Sequence, residues 1–289
     1  MRLVMVLAAT IAIVASSIDA QAQKAVHVPV KIDGRTLQLT ATLYVPHQPG
    51  RHPAVALFHG CGGVGQNVVR MAQLLTAKGY VTLVVDSFGA RGIRDACTTN
   101  WPTQAQALER TNDIQASVLW LRARSDVDAG RVGVIGYSYG GGVALLYALA
   151  SEAQERALAV ATTDGPSSRR AAAVIAVYPD CALQGGLGDS IGVWQPLMIS
   201  IAELDDWTPK QQCDALLGRI KRRRELIETH VYAGAYHSFD AVGLSVRYLA
   251  AAGNRSKPNN CCGAHYGYNA EAWAAFQRDV EAFLARTLR

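Results

Sequence analysis

Two different periods of apolar residues alternate along the chain. Residues 26–32 and 36–45 are rich in Val, Leu and Thr with partial alternation, and Asp33-Gly34 between them is a tight-turn pair, which predicts a β-hairpin. The short runs at 54–58, 80–85, 132–135 and 172–177 are dominated instead by uninterrupted Val, Ile, Leu and Ala. Such a run suits a strand covered on both faces. Segments of helical period separate these runs: Val68, Met71, Ala72 and Leu75 mark one helix face, and Ala107, Thr111, Ile114, Val118 and Leu121 mark another. Two further strands, 197–201 and 226–232, flank a helix at 209–221. A last amphipathic helix carries Trp273, Phe276, Val280, Phe283 and Leu284, with Asn269 placed to cap it. A hairpin followed by repeated β-α units predicts an α/β fold, with one mostly parallel sheet of about eight strands and helices on both faces.

The first residues break this pattern. Arg2 precedes an apolar run at 3–14, and Ala20-Gln21-Ala22 puts small residues at the two positions a signal peptidase reads. The run is shorter than the ~20 residues needed to span a bilayer. Residues 1–22 are therefore expected to be a cleaved signal peptide. Residues 23–289 are expected to form one exported domain, periplasmic or secreted, without stable membrane insertion.

Half of the 289 residues are hydrophobic and 18% are charged, which excludes an intrinsically disordered chain. The net charge of +5 is modest. The basic run Lys221-Arg222-Arg223-Arg224 falls at the end of a predicted helix, where the helix dipole favours cations, so no nucleic-acid partner is expected. The stretches 151–170 and 251–264 are polar and read as surface insertions. Six cysteines, at 61, 97, 181, 213, 261 and 262, are too dispersed for a small disulfide scaffold and include no C-x-x-C pair, but in an exported chain they can be oxidised.

Candidate chemistry concentrates at Gly136-Tyr137-Ser138-Tyr139-Gly140-Gly141, a G-x-S-x-G sequence between a predicted strand and the apolar helix at 143–150. So tight a strand-to-helix turn needs glycine on either side, and it lifts the serine hydroxyl to a helix N-terminus, where developing negative charge is favoured. Serine needs a base, and after later strands stand Asp205 with Asp206, then His237 in Ala235-Tyr236-His237-Ser238-Phe239, in the chain order nucleophile, acid, histidine. An oxyanion hole needs backbone N–H groups. His59-Gly60-Cys61-Gly62-Gly63, ending the strand at 54–58, is placed to give the N–H of Cys61, with that of Tyr139 as the second donor. His59 itself is then expected to be structural.

These motifs together, H-G-C-G-G at 59–63, D-S-F-G-A-R-G at 86–92, G-Y-S-Y-G-G at 136–141, D-D-W-T-P at 205–209 and A-Y-H-S-F at 235–239, resemble the dienelactone hydrolase family of the α/β-hydrolase superfamily. The resemblance implies an α/β-hydrolase fold and hydrolysis of a small-molecule ester or lactone by a nucleophile-His-Asp triad without metal or other cofactor. The family's D-x-x-[VT]-P pattern selects Asp205 over Asp206. The resemblance also suggests that Arg91 holds a substrate carboxylate. Trp207 is a further candidate substrate contact, and Trp207, Tyr137, Tyr139 and Phe88 are candidate pocket walls. The best-known members carry cysteine where this chain has Ser138, and they are cytoplasmic.

On this fold four cysteines fall at one end of the sheet, suggesting Cys61–Cys97 and Cys181–Cys213 disulfides around the site. The state of Cys261 and Cys262 and the oligomeric state are left open. Alternatives to an esterase are a peptidase or acyltransferase on the same scaffold, or an inactive hydrolase-like binding protein, although no required residue type is missing.

Overall fold

The computed structural model describes residues 22–32, 34–98, 104–151 and 170–289. Residues 1–21 and most of 151–170 lie outside these, as does Asp33 of the hairpin turn. An eight-stranded sheet is formed by β1 (Ala22–Ile32), β2 (Arg35–Val45), β3 (His52–Phe58), β4 (Val81–Asp86), β5 (Val127–Tyr137), β7 (Ala173–Val177), β9 (Leu197–Ala202) and β11 (Ile227–Tyr232), in the order β1-β2-β4-β3-β5-β7-β9-β11. The β1–β2 hairpin is antiparallel and β2 runs against β4, while every pairing from β4 to β11 is parallel. The parallel strands therefore bring their C-terminal ends, and the loops that follow, to one edge of the sheet.

Alternation along the buried strands feeds two cores. Ala54, Ala56 and Phe58 of β3 face the core beneath α2 (Gln104–Arg122), α3 (Tyr139–Ala148) and α4 (Lys210–Arg219). Val55 and Leu57 face the opposite core, closed by α1 (Gln66–Ala77) and α5 (Ala270–Thr287). Phe276 and Val280 of α5 are fully buried, and Asn269 caps that helix through its side chain, accepting from Ala272 N at 3.0 Å. Each such buried side chain stabilises the fold by roughly 1.5–3 kcal/mol.

Three local features differ from the pattern-based expectation. The helix expected over 209–221 stops at Arg219 because Ile220, buried, starts a short strand, β10 (Ile220–Arg222). With β6 (Leu149–Ser151) and β8 (Ile191–Val193) it makes a three-stranded sheet, and β12 (Arg247–Leu249) pairs with β13 (Ala264–Tyr266). The basic run still serves the helix end: Lys221 Nζ and Arg224 Nη1 donate to the carbonyls of Gly218 and Leu217. Finally, 251–264 is no loose surface insertion. Ala252, Asn254 and Ala264 are fully buried, and Asn254 Nδ2 donates to the carbonyls of Asp206 and Gly263. No helix among the described residues is long and apolar enough to cross a membrane.

Candidate active site

Ser138 stands between β5 and α3 with φ 53° and ψ −117°, a left-handed conformation that costs a non-glycine residue energy and clusters at functional positions. The glycines around it follow from contact. A Cβ on Gly136 would run into the carbonyl of Gly140, and one on Gly140 would run into that of His59. The elbow is pinned by Ser138 N donating to Val177 O at 2.9 Å and Gly142 N donating to Ser138 O at 2.9 Å. Tyr139 is the first residue of α3, so its backbone N–H has no partner inside the helix.

His237 and Asp205 converge on this serine. The hydroxyl of Ser138 lies 2.8 Å from His237 Nε2, and His237 Nδ1–H donates to Asp205 Oδ2 at 2.7 Å. All three residues are at most 5% exposed. Asp205 is saturated with donors: Trp207 N (2.9 Å) and Thr208 N (2.8 Å) reach Oδ1, and Thr208 Oγ1 reaches Oδ2 at 2.9 Å. The imidazole is held between two aromatic rings, with Tyr178 at 4.6 Å and Trp207 at 4.9 Å between centroids. Asp206 points elsewhere, accepting from the backbone N and the ring Nδ1 of His265 at 2.7 and 2.8 Å. The adjacent carboxylates thus divide into one that meets His237 and one that holds His265 on β13, while the backbone carbonyl of Asp206 accepts from Asn254.

The loop after β3 brings Gly60 against the serine: a Cβ there would lie 3.2 Å from Ser138 Cβ. Cys61 follows it, and a disulfide ties Cys61 to Cys97. Ala96 N donates to Cys61 O and Gly253 N to Cys97 O, joining this loop to the 251–264 segment. Disulfides also join Cys181 to Cys213 and Cys261 to Cys262. His59 is fully buried, with Nδ1–H donating to Gly60 O at 2.7 Å and Nε2 accepting from Ser87 N at 3.1 Å. Burial pushes its pKa down, so the ring is a neutral strut of the loop.

Ser138 and His237 open into a cavity of about 250 Å³ walled by Cys61, Tyr137, Tyr178, Trp207, Leu249 and Tyr266. Tyr137 and Trp207 are where the sequence puts them. Phe88 and the Tyr139 side chain instead line a separate cavity of about 370 Å³ with Arg91 and Arg110. Arg91 lines this second cavity and not the wall around Ser138. Its guanidinium is engaged by Asp113 (2.9 and 3.0 Å), Glu109 (3.0 Å) and the carbonyl of Ser87. Asp113 is fully buried and requires a cation beside it, which is what holds Arg91 there. Sequence reading also missed Thr208 and Tyr178; only the threonine of D-D-W-T-P offered a signal.

A model of the dienelactone hydrolase family matches residues 39–286. The chain belongs to that family. Its fold is similar to that of a putative dienelactone hydrolase from Klebsiella pneumoniae, with a TM-score of 0.61 at 16% identity over 92% of this chain and 99% of that one. It is also similar to a dienelactone hydrolase-like promiscuous phosphotriesterase from metagenomic libraries (TM-score 0.61, 17% identity, 93% and 100% coverage). Thermogutta terrifontis esterase 2, solved phosphoramylated by tabun, gives 0.57 at 17% identity over 91% and 94%. At these identities the likeness concerns the α/β-hydrolase fold alone. In sequence, the quorum-quenching protein AidA of Acinetobacter baumannii is 29% identical over 182 residues, 60% of this chain and 57% of that protein. The match thus spans little more than half of that relative. The family is one of hydrolases.

Proposed function

We propose that the protein is a serine hydrolase that cleaves a carboxylic ester or lactone through an acyl-enzyme on Ser138. The observation that carries this reading is the unbroken hydrogen-bonded line from Ser138 Oγ through His237 to Asp205, at 2.8 and 2.7 Å, beginning on a strained serine. His237 Nε2 takes the hydroxyl proton as Oγ attacks the carbonyl carbon, and Asp205 orients the ring and stabilises the imidazolium. The carbonyl oxygen gains charge against the N–H groups of Cys61 and Tyr139. Collapse expels the alcohol, which takes the proton from Nε2. Water, deprotonated by the same nitrogen, then releases the acid and restores Ser138. Trp207 and Tyr137 form apolar walls for the substrate.

The same proposal takes residues 1–22 as a cleaved signal peptide and 23–289 as one periplasmic or secreted domain. Its disulfides suit an oxidising compartment. A mature N-terminus at Gln23 is the expected result of N-terminal sequencing, and an intact Met1 contradicts it. The activity is tested by incubating the protein with a fluorophosphonate and with short p-nitrophenyl esters, using Ser138→Ala as the control. Labelling of Ser138 with ester turnover supports the reading. Labelling with cleavage of peptides but not esters favours a peptidase.

A further inference from the structure

Behind the histidine lies a second carboxylate that the relay does not include. Asp240, three residues after His237 and fully buried, accepts from Tyr178 Oη at 2.9 Å and from Asn67 Nδ2 at 3.1 Å, and Asn67 Nδ2 also reaches Tyr178 Oη at 3.1 Å. These three residues come from three separate pieces of the site. Asn67 is on the first turn of α1, directly after the oxyanion loop, Tyr178 follows the tip of β7, and Asp240 is on the histidine loop. Tyr178 touches the reaction line twice: its ring packs on the imidazole, and its carbonyl lies 3.1 Å from the Thr208 hydroxyl that also reaches Asp205. Both Tyr178 (φ 35°) and Ser238 (φ 57°) are held in left-handed conformations, which persist only when surrounding contacts enforce them.

A buried carboxylate fed by two side-chain donors is a fixed point rather than a solvated charge. We propose that Asp240 is a positioning residue of the site, acting through Tyr178 and Asn67 to clamp the His237 ring in register with Asp205 and to lock the histidine loop to the oxyanion loop. This rests on the hydrolase reading above. Burial raises the Asp240 carboxyl pKa, with the Tyr178 and Asn67 donors opposing the rise.

The test compares Asp240→Asn and Tyr178→Phe with wild type in two readouts: the kcat and KM for p-nitrophenyl esters, and the far-downfield proton resonance of the His237–Asp205 hydrogen bond. Expected are a fall in kcat of about 10-fold with little change in KM for each variant. The double variant should be no worse than Asp240→Asn alone, because the hydroxyl acts through the carboxylate. The downfield resonance should broaden or vanish in both, a readout that stands even without an ester substrate. Wild-type kcat and an intact resonance in Asp240→Asn overturn the proposal. Should Asp240→Asn fail to fold, an intact resonance and full kcat in Tyr178→Phe do the same. Absence of Ser138-dependent turnover in the wild type overturns the hydrolase reading instead, leaving the resonance to decide this one.

Discussion

Gly60 and Gly62 stand two residues apart in the loop after β3, yet alanine should affect them very differently. A Cβ on Gly60 lies 3.2 Å from Ser138 Cβ, 3.5 Å from Tyr137 O and 3.7 Å from Ser138 Oγ, whereas one on Gly62 meets only Cys97 Sγ at 3.7 Å. Carbon atoms prefer roughly 3.5–4.0 Å, so Gly60→Ala must open the contact by about 0.3–0.8 Å. The serine is the less yielding partner, because its elbow is pinned to Val177 and Gly142. The displacement therefore passes to the loop and to the N–H of Cys61. Misplacement by ~1 Å costs about 100-fold in rate, so the shift should lower kcat by about 4- to 40-fold. Complete loss of one oxyanion donor sets the ceiling, about 100- to 1,000-fold. Folding stability should change by no more than about 1 kcal/mol, since neither glycine has a positive φ. The assay is ester turnover with the rate of fluorophosphonate labelling, beside a thermal melt. Equal kcat in Gly60→Ala and Gly62→Ala would refute the assignment of this loop to the oxyanion hole.

Asp205→Asn should lower kcat about 10,000-fold by destroying the orientation of His237, while Asp206→Asn keeps most of the rate and loosens only the contact with His265 on β13; steady-state kinetics on both variants separates them. Replacing Cys61 and Cys97 together by serine opens a loop of 36 residues, which corresponds to about 4 kcal/mol in the chain-entropy description and should appear as a lower urea midpoint. His59 is buried with its pKa pushed below the unfolded value of about 6.5. Its contribution to stability is therefore full above that pH and is lost as pH falls below it. Wild type should lose more urea resistance than His59→Gln between about pH 7.5 and 5.5, and parallel losses would contradict a buried neutral ring.

The central strands were legible because burial on both faces leaves continuous apolar runs such as Ala54 to Phe58, which need no tertiary information to recognise. The serine, aspartate and histidine were legible for another reason: each follows a strand end, where a tight loop leaves a local signature. The three-residue strands β6, β8, β10, β12 and β13 are too short to carry a period. The 251–264 segment looked loose because its anchors are backbone groups. Trp207 Nε1 donates to Gly253 O, and Gly253 N donates to Cys97 O, and such bonds leave no trace in composition. The partners of Arg91 were not legible, because a motif names a residue and not its neighbours. Nothing local foretold that Asp113, 22 residues on, would engage its guanidinium.

The account turns on Ser138 as a nucleophile activated by His237. Its most direct test is the site and rate of fluorophosphonate modification, read by mass spectrometry of the digested protein, with Ser138→Ala and His237→Ala beside the wild type. The account predicts a single adduct on the peptide containing Ser138, absent in Ser138→Ala and formed far more slowly in His237→Ala, with ester turnover lost in parallel. Modification at another residue, or a wild-type rate in His237→Ala, contradicts it.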